Sequence, residues 1–276
     1  MIRDIIKNRK LIAKLAKNDF KQKFAGSTLG IIWAFVQPVV TVLVYWIVFD
    51  KVMGAKAEII GKETGDFPYV LWLSTGIIPW FYFSEVLSSG TVVLQEYNYL
   101  VKKVVFPINV LPVVKAVSAL FVHGFFVLFT MILFLLLGQP IPLYCLQLLY
   151  YSFAMMVFVI ALIYLTSALC VFFKDMAQLI NIFLQVAIWA TPIMWPKTML
   201  LKKIAEGKCP DIAVYILYLN PMYYITNGYR ESLVPDYSGF WLSPGLTAYF
   251  WGVTILMFII GTHVFKKLQP HFADVL

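Results

Sequence analysis

Polar side chains set into apolar runs are the residues of this sequence that could do chemistry. Gln178, Asn181, Gln185 and Trp189 follow steps of three, four and four within one apolar stretch, so a helix would carry them on one narrow stripe. Trp33, Gln37, Thr41 and Tyr45 step by four in another stretch and drift slowly around one helix face. Amide side chains are costly in lipid, so both stripes should face protein or water. Two roles suit them. One is interhelical hydrogen bonding. The other is a translocation path, where rings stack on flat sugar faces and amides exchange hydrogen bonds with hydroxyls. Glu85 is the one acid well inside an apolar stretch, and Lys115 lies at similar depth in the next one. A buried ion pair between them is expected, because either charge alone would be expensive.

Signatures of enzyme chemistry are not found in the sequence. The run Gly26-Ser27-Thr28-Leu29-Gly30 lacks the lysine and the spacing of a phosphate loop, and neither H-E-x-x-H nor G-x-S-x-G occurs. His123 falls inside an apolar stretch, where a lone histidine reads as a packing residue, while His263 and His271 lie near the C-terminal end. Cys145, Cys170 and Cys209 have no metal-ligand spacing and read as packing residues. No catalytic residue, metal or bound cofactor is expected in this chain. Any uphill transport must draw its energy from a partner or an ion gradient.

The elements that position these residues are membrane spans. Of 276 residues 61% are hydrophobic and 13% charged, too apolar for a water-soluble core to absorb. Six stretches are long enough to cross a hydrocarbon layer: 30–53, 67–94, 109–137, 144–173, 177–194 and 248–264. Pro38, Pro79 and Pro112 do not veto helices, since neighbouring segments can satisfy freed carbonyls. No internal repeat appears, which weighs against a carrier built from inverted halves. Eight bases precede the first span, opposed only by Asp4 and Asp19. Lys102 and Lys103 follow span two, Lys174 follows span four, and Lys266 and Lys267 follow span six. This bias predicts that both termini are cytoplasmic. The net charge of +8 therefore fits a membrane surface better than nucleic acid. No cleavable signal peptide is expected.

A single domain is expected, an all-α six-span bundle over 30–264. Residues 1–29 would supply a cytoplasmic amphipathic interface helix and 265–276 a cytoplasmic tail. Ile5, Ile12, Leu15 and Phe20 recur at helical spacing among the lysines. Between spans five and six, residues 195–247 hold two short apolar pieces, 212–219 and 222–233, split by Asn220-Pro221. They read as re-entrant helices on the extracellular side, or as a small external domain.

Three blocks carry a resemblance. The run K-N-D-F-K-Q-K-F-A-G-S-T-L-G-I-I-W begins at Lys17, N-Y-L-V-K-K-V-V-F-P-I-N-V-L-P at Asn98, and N-P-M-Y-Y-I-T-N-G-Y-R-E-S-L at Asn220. In this order, with six spans, they resemble permease subunits of type-2 ABC exporters for polysaccharides and polyol phosphates. Within that family the runs at 67–83 and 271–276 look like the teichoic acid branch, although O-antigen and capsule exporters share the three blocks. Ala25 departs from the larger or basic residue common before Gly-Ser. The resemblance implies a second copy of the chain and two copies of a separate ATPase that binds ATP and Mg2+. It implies a coupling loop at 95–108, where Tyr97, Asn98, Tyr99, Leu100, Lys102 and Lys103 would dock into the ATPase. It also implies a path between the two permeases built from spans one and five, the spans that carry the polar stripes.

The expected function is therefore export of a lipid-linked anionic polymer, wall teichoic acid first, across the cytoplasmic membrane of a Gram-positive bacterium. O-antigen or capsule export is the alternative within the family. An intramembrane glycosyl- or acyltransferase is the alternative from another class, and it would need carboxylates or a histidine in a membrane-facing pocket.

Overall fold

The computed structural model describes residues 1–23, 25–26, 28–59, 62–64, 67–103, 106–234 and 243–276. Helices α1 (Ile2–Lys7) and α2 (Arg9–Lys23) precede α3 (Trp33–Trp46), which a 3-10 turn opens at Gly30–Ile32 and a π-helical turn extends over Ile47–Val52. A small antiparallel hairpin of β1 (Ala57–Ile59) and β2 (Lys62–Thr64) follows, with Ala57 opposite Thr64. The hairpin is an addition to the expected all-helical chain. Next come α4 (Tyr69–Thr91), α5 (Val93–Glu96), α6 (Asn98–Val101), α7 (Leu111–Leu136) and α8 (Gln147–Phe172). The chain continues with α9 (Met176–Ala190), α10 (Lys197–Ala205), α11 (Ile212–Leu219), α12 (Pro221–Leu233), α13 (Pro244–Leu268) and α14 (Phe272–Val275).

Five helical stretches among the described residues are long and apolar enough to cross a membrane: Gly30–Val52, Tyr69–Thr91, Ile108–Leu136, Leu143–Phe172 and Pro244–Val275. They match five of the six expected spans. The fifth expected span, 177–194, differs. Its helix α9 has 15 residues, about 22 Å of rise against a hydrocarbon layer of about 30 Å. The cause is Pro192, whose ring disfavours helical backbone in the residue before it. Thr191 is accordingly extended, at φ −100° and ψ 132°, and residues 191–194 turn into the bundle and are buried.

Helices α4 and α8 are the most enclosed of the long helices. Helix α8 packs on α13, and a Cβ at Gly261 would come within 2.6 Å of the Ala161 carbonyl oxygen, so only glycine allows this approach. Helix α7 closes on Gly138 in the left-handed conformation (φ 70°), where the Gln139 amide donates to the Phe134 carbonyl at 2.9 Å. The two short apolar pieces of the 195–247 region form α11 and α12, broken where expected. The Asn220 side chain caps α12 by accepting from the Met222 amide at 3.0 Å, and Pro221 occupies the first turn, where no amide hydrogen is needed. Helix α12 is buried against α4 and α8. Residues 235–242 of that region and 104–105 of the expected coupling loop lie outside the described residues.

Helices α1, α2, α6 and α14 gather at one end of the bundle. Helix α2 is amphipathic as expected, and its inner side, Ile12, Ala16 and Asp19, packs on α7 while Lys10, Lys14, Lys17 and Lys21 are exposed. Helix α14 is not a loose tail: Phe272 is fully buried, 5.3 Å from the Phe265 ring and 6.1 Å from the Phe172 ring, and α14 packs on α6.

Candidate functional site

Between α2, α3, α4, α7 and α9 lies a cavity of about 720 Å³. The packing of α2 on α7 sets one wall, and α3 closes another, its Phe35 ring 4.2 Å from the Phe125 ring of α7. Trp33, Gln37 and Thr41 line it from α3, and Asn181 from α9, so four residues of the two polar stripes meet here. The Ser88 hydroxyl of α4 donates to Asn181 Oδ1 at 2.9 Å. Tyr45, Gln178, Gln185 and Trp189 are not part of the cavity. On α9 the side turned to the bundle is Leu184, with Ala177, Ile180 and Ile188 half-buried. Gln178, Gln185 and Trp189 point away from the chain and are exposed, and Asn181 stands at the inner edge of their stripe. The cavity is rich in hydroxyls and rings, and Ser84, Ser89, Tyr82 and Phe126 add to its walls. Such a lining can hydrogen-bond and stack on hydroxylated ligands.

The expected Glu85–Lys115 pair does not form. Lys115 Nζ instead lies 2.7 Å from Asp19 Oδ1 of α2 and 2.6 Å from Glu96 Oε2 at the end of α5. Glu85 is paired with Lys23 of α2, and both are about half exposed. The reason is axial position: Lys115 sits level with Glu96, and eleven residues of helix, roughly 16 Å of rise, separate Glu96 from Glu85. The Lys115 and Asp19 side chains are 11% and 10% exposed, so this is the buried pair of the bundle end.

The expected coupling residues divide. Asn98, Tyr99, Lys102 and Lys103 are exposed and Leu100 is half-buried. Tyr97 does not point outward. It is buried, its hydroxyl donates to Asp19 Oδ1 at 2.8 Å, and the Lys115 ammonium lies 5.6 Å from its ring centre. Burial, and then the hydrogen bond to Asp19, push the Tyr97 hydroxyl well above the usual tyrosine range, so it stays a donor. A docking role for Tyr97 is therefore replaced by an internal one, because a side chain held to α2 cannot also fill a partner's groove.

Two polar constellations have no counterpart in the sequence expectations. Arg230 of α12 is buried. Its Nη1 donates to the Pro192 carbonyl at 2.6 Å and its Nη2 to the Ile193 carbonyl at 2.7 Å, and its guanidinium lies 3.7 Å from the Trp72 ring centre. The Tyr69 hydroxyl donates to the Met194 carbonyl and Asn220 Nδ2 to Thr191 Oγ1 at 2.8 Å. The turn after α9 is thus held from α4, α11 and α12 together. The second constellation is His123 of α7, whose Nε2 is 2.8 Å from the Tyr229 hydroxyl, itself 2.6 Å from Ser152 Oγ. A Cβ at Gly228 would meet the Tyr151 ring at 2.1 Å. The available signal for the first was an arginine two positions after a glycine within the run at 220–233.

Among the described residues no group of His, Cys, Asp and Glu could hold a metal ion. The ABC-2 type transporter family matches residues 10–234. The chain is 24% identical over 278 residues to the O-antigen export system permease protein RfbA of Myxococcus xanthus, an alignment covering 99% of this chain and 98% of that protein. It is 23% identical over 273 residues to a protein of the same name from Klebsiella pneumoniae, covering 96% and 95%. The spans, the amphipathic first helices and a family match over most of the length agree: this multi-pass membrane chain belongs to the ABC-2 type transporter family.

Proposed function

We propose that this chain is the membrane-spanning permease of an ATP-driven exporter that moves a lipid-linked surface polysaccharide. It works as a pair of copies with two copies of a separate ATPase, which binds ATP and Mg2+. As a family member it is a transport subunit and not an enzyme. In this reading α9 and the turn after it complete a sixth crossing, both termini face the cytoplasm, and α6 with Tyr99, Lys102 and Lys103 meets the ATPase.

The observation that carries the reading is the outward face of α9. Gln178 and Gln185, with Asn181 at the edge of their stripe, stand exposed on an otherwise apolar helix, and amides at membrane depth need polar cover. A second copy facing α3 and α9 supplies it and leaves a conduit lined by Trp33, Gln37, Thr41 and Asn181, with Tyr45 and Trp189 at its margins. Full-length likeness to O-antigen export permeases supports a glycan cargo. A second reading, teichoic acid export in a Gram-positive bacterium, rests on the runs at 67–83 and 271–276.

The test is co-purification with an ABC ATPase from the same genome, then ATP hydrolysis in liposomes with a lipid-linked glycan or a lipid-linked polyol phosphate. Stimulation by the glycan supports the first reading, and stimulation by the polyol phosphate alone supports the second. Failure to bind any ATPase would overturn both.

A further inference from the structure

We propose that Lys115 is a positioning residue that locks the segment 96–103 to α2, so that the two move as one body. The proposal rests on the reading that the exposed face of that segment takes the ATPase. Three elements meet at Lys115. Its ammonium lies 2.7 Å from Asp19 of α2 and 2.6 Å from Glu96, and Asp19 Oδ1 also accepts from the Tyr97 hydroxyl at 2.8 Å. The links form a closed circuit, Glu96 to Lys115 to Asp19 to Tyr97, that begins and ends on adjacent residues. Two neighbours on one segment thereby grip α7 and α2 at once.

A circuit of this kind transmits displacement. Drawing Lys115 from Asp19 would leave a buried carboxylate without its counter-charge, a costly state with no intermediate geometry. A second charged link from α2 to the bundle, Lys23 to Glu85, is about half exposed and therefore weak. Both links line the same cavity. A push on the segment therefore carries α2 with it through Lys115 and strains the Lys23–Glu85 contact at the cavity wall. Lys115 joins the partner-facing end of the protein to its cavity.

The test uses the full chain with its ATPase in nanodiscs, with Cys145, Cys170 and Cys209 replaced by alanine. Spin labels at Gln22→Cys on α2 and Lys103→Cys report the distance across the circuit. A third at Ile255→Cys on α13 gives a fixed reference. In the otherwise unaltered chain the first distance should hold between nucleotide-free and ATP-trapped states while both labels shift against α13. Asp19→Asn with Glu96→Gln should broaden that distance, with or without ATPase, and lower export per ATP about tenfold. Lys115→Met should broaden the distance likewise, and Lys115→Arg, which keeps a cation between Asp19 and Glu96, should broaden it less. An unbroadened distance in the double variant, or a pair that separates on ATP binding in the unaltered chain, overturns the proposal. Should the double variant fail to assemble, Glu96→Gln alone cuts the Lys115 link at a half-exposed carboxylate, and normal distance and export in it overturn the proposal equally. A Tyr99→Ala, Lys102→Ala chain that still binds and stimulates the ATPase would sink the docking reading alone. The distance measurement without ATPase would still stand.

Discussion

Replacing Arg230 with lysine tests what holds the turn after α9. The guanidinium donates to two adjacent carbonyls, those of Pro192 and Ile193, and lies 3.7 Å from the Trp72 ring centre. A lysine keeps the charge but presents a point donor, so one of the two carbonyls loses its partner. A hydrogen bond to a charged group contributes about 1.5–3 kcal/mol, and a desolvated cation on an indole ring about 2 kcal/mol. An ammonium is more strongly hydrated than a guanidinium, so its burial costs no less and nothing offsets the loss, which comes to about 3–5 kcal/mol. For a domain of this size each kcal/mol moves the melting temperature by about 2–4 °C, so Arg230→Lys should melt roughly 10 °C lower in nanodiscs. Gly76→Ala should act through the same contact, since its Cβ would lie 2.7 Å from Arg230 Nη2. The two changes together should therefore cost less than their sum. A cysteine at Met194, buried at 2% exposure, should become reactive to a water-soluble thiol reagent in Arg230→Lys. Melting within about 2 °C of the unaltered protein, with Met194→Cys still silent, would refute the claim that this arginine holds the turn.

Other consequences follow from the charges and the α9 surface. Lys115→Met should destabilise the chain by about 3 kcal/mol because it strands Asp19. Glu85→Gln should cost less than about 1 kcal/mol, its partner being half exposed, and equal melting of the two variants would contradict the pairing. Cysteines at Gln178 and Gln185 should label with small reagents in at least one state of the ATP cycle, and Ile188→Cys, packed against the bundle core and outside the cavity, should not. Labelling at Ile188 equal to that at Gln185 would mean that α9 is rotated from the orientation described. Asp4 accepts from Asn109 Nδ2 at 2.9 Å, which lowers its pKa below the ordinary 3.8. This contribution is present above that value and is lost as pH falls through the lowered one. Hydrogen exchange across α1 should therefore speed up only at strongly acidic pH, and an onset near pH 6 would assign the contact to another group.

Much of the architecture was legible because lipid imposes length and composition on every crossing. The helix breaks at Asn220-Pro221 and Gly138 are local chemistry and could be read directly. The truncation of α9 was also written in Thr191-Pro192, but a mean over apolar residues runs straight through it. Partnerships across the fold were less accessible. Lys115 was correctly expected to need a buried acid, yet depth along a helix suggested Glu85. The true partner, Asp19, looked like one more charge in a basic cluster until α2 was seen packed on α7. Tyr97 shares its composition with the exposed Tyr99, and only the circuit through Asp19 tells them apart. The amide stripe on α9 was recognisable from spacing alone, whereas its outward aim depended on which neighbours the helix chose.

The docking of α14 against α6 bears on when the protein becomes ready for its partner. Residues 98–101 leave the ribosome long before residues 272–275, and the Phe272 ring packs against Phe172 and Phe265, which are both made earlier. Until then α6 lacks the support on one flank that holds it in its final pose. A chain stalled partway through synthesis would display the residues of that surface without their shape. If α6 takes the ATPase as proposed, assembly with that partner would wait until membrane insertion is nearly complete, a timing set by the order of the sequence.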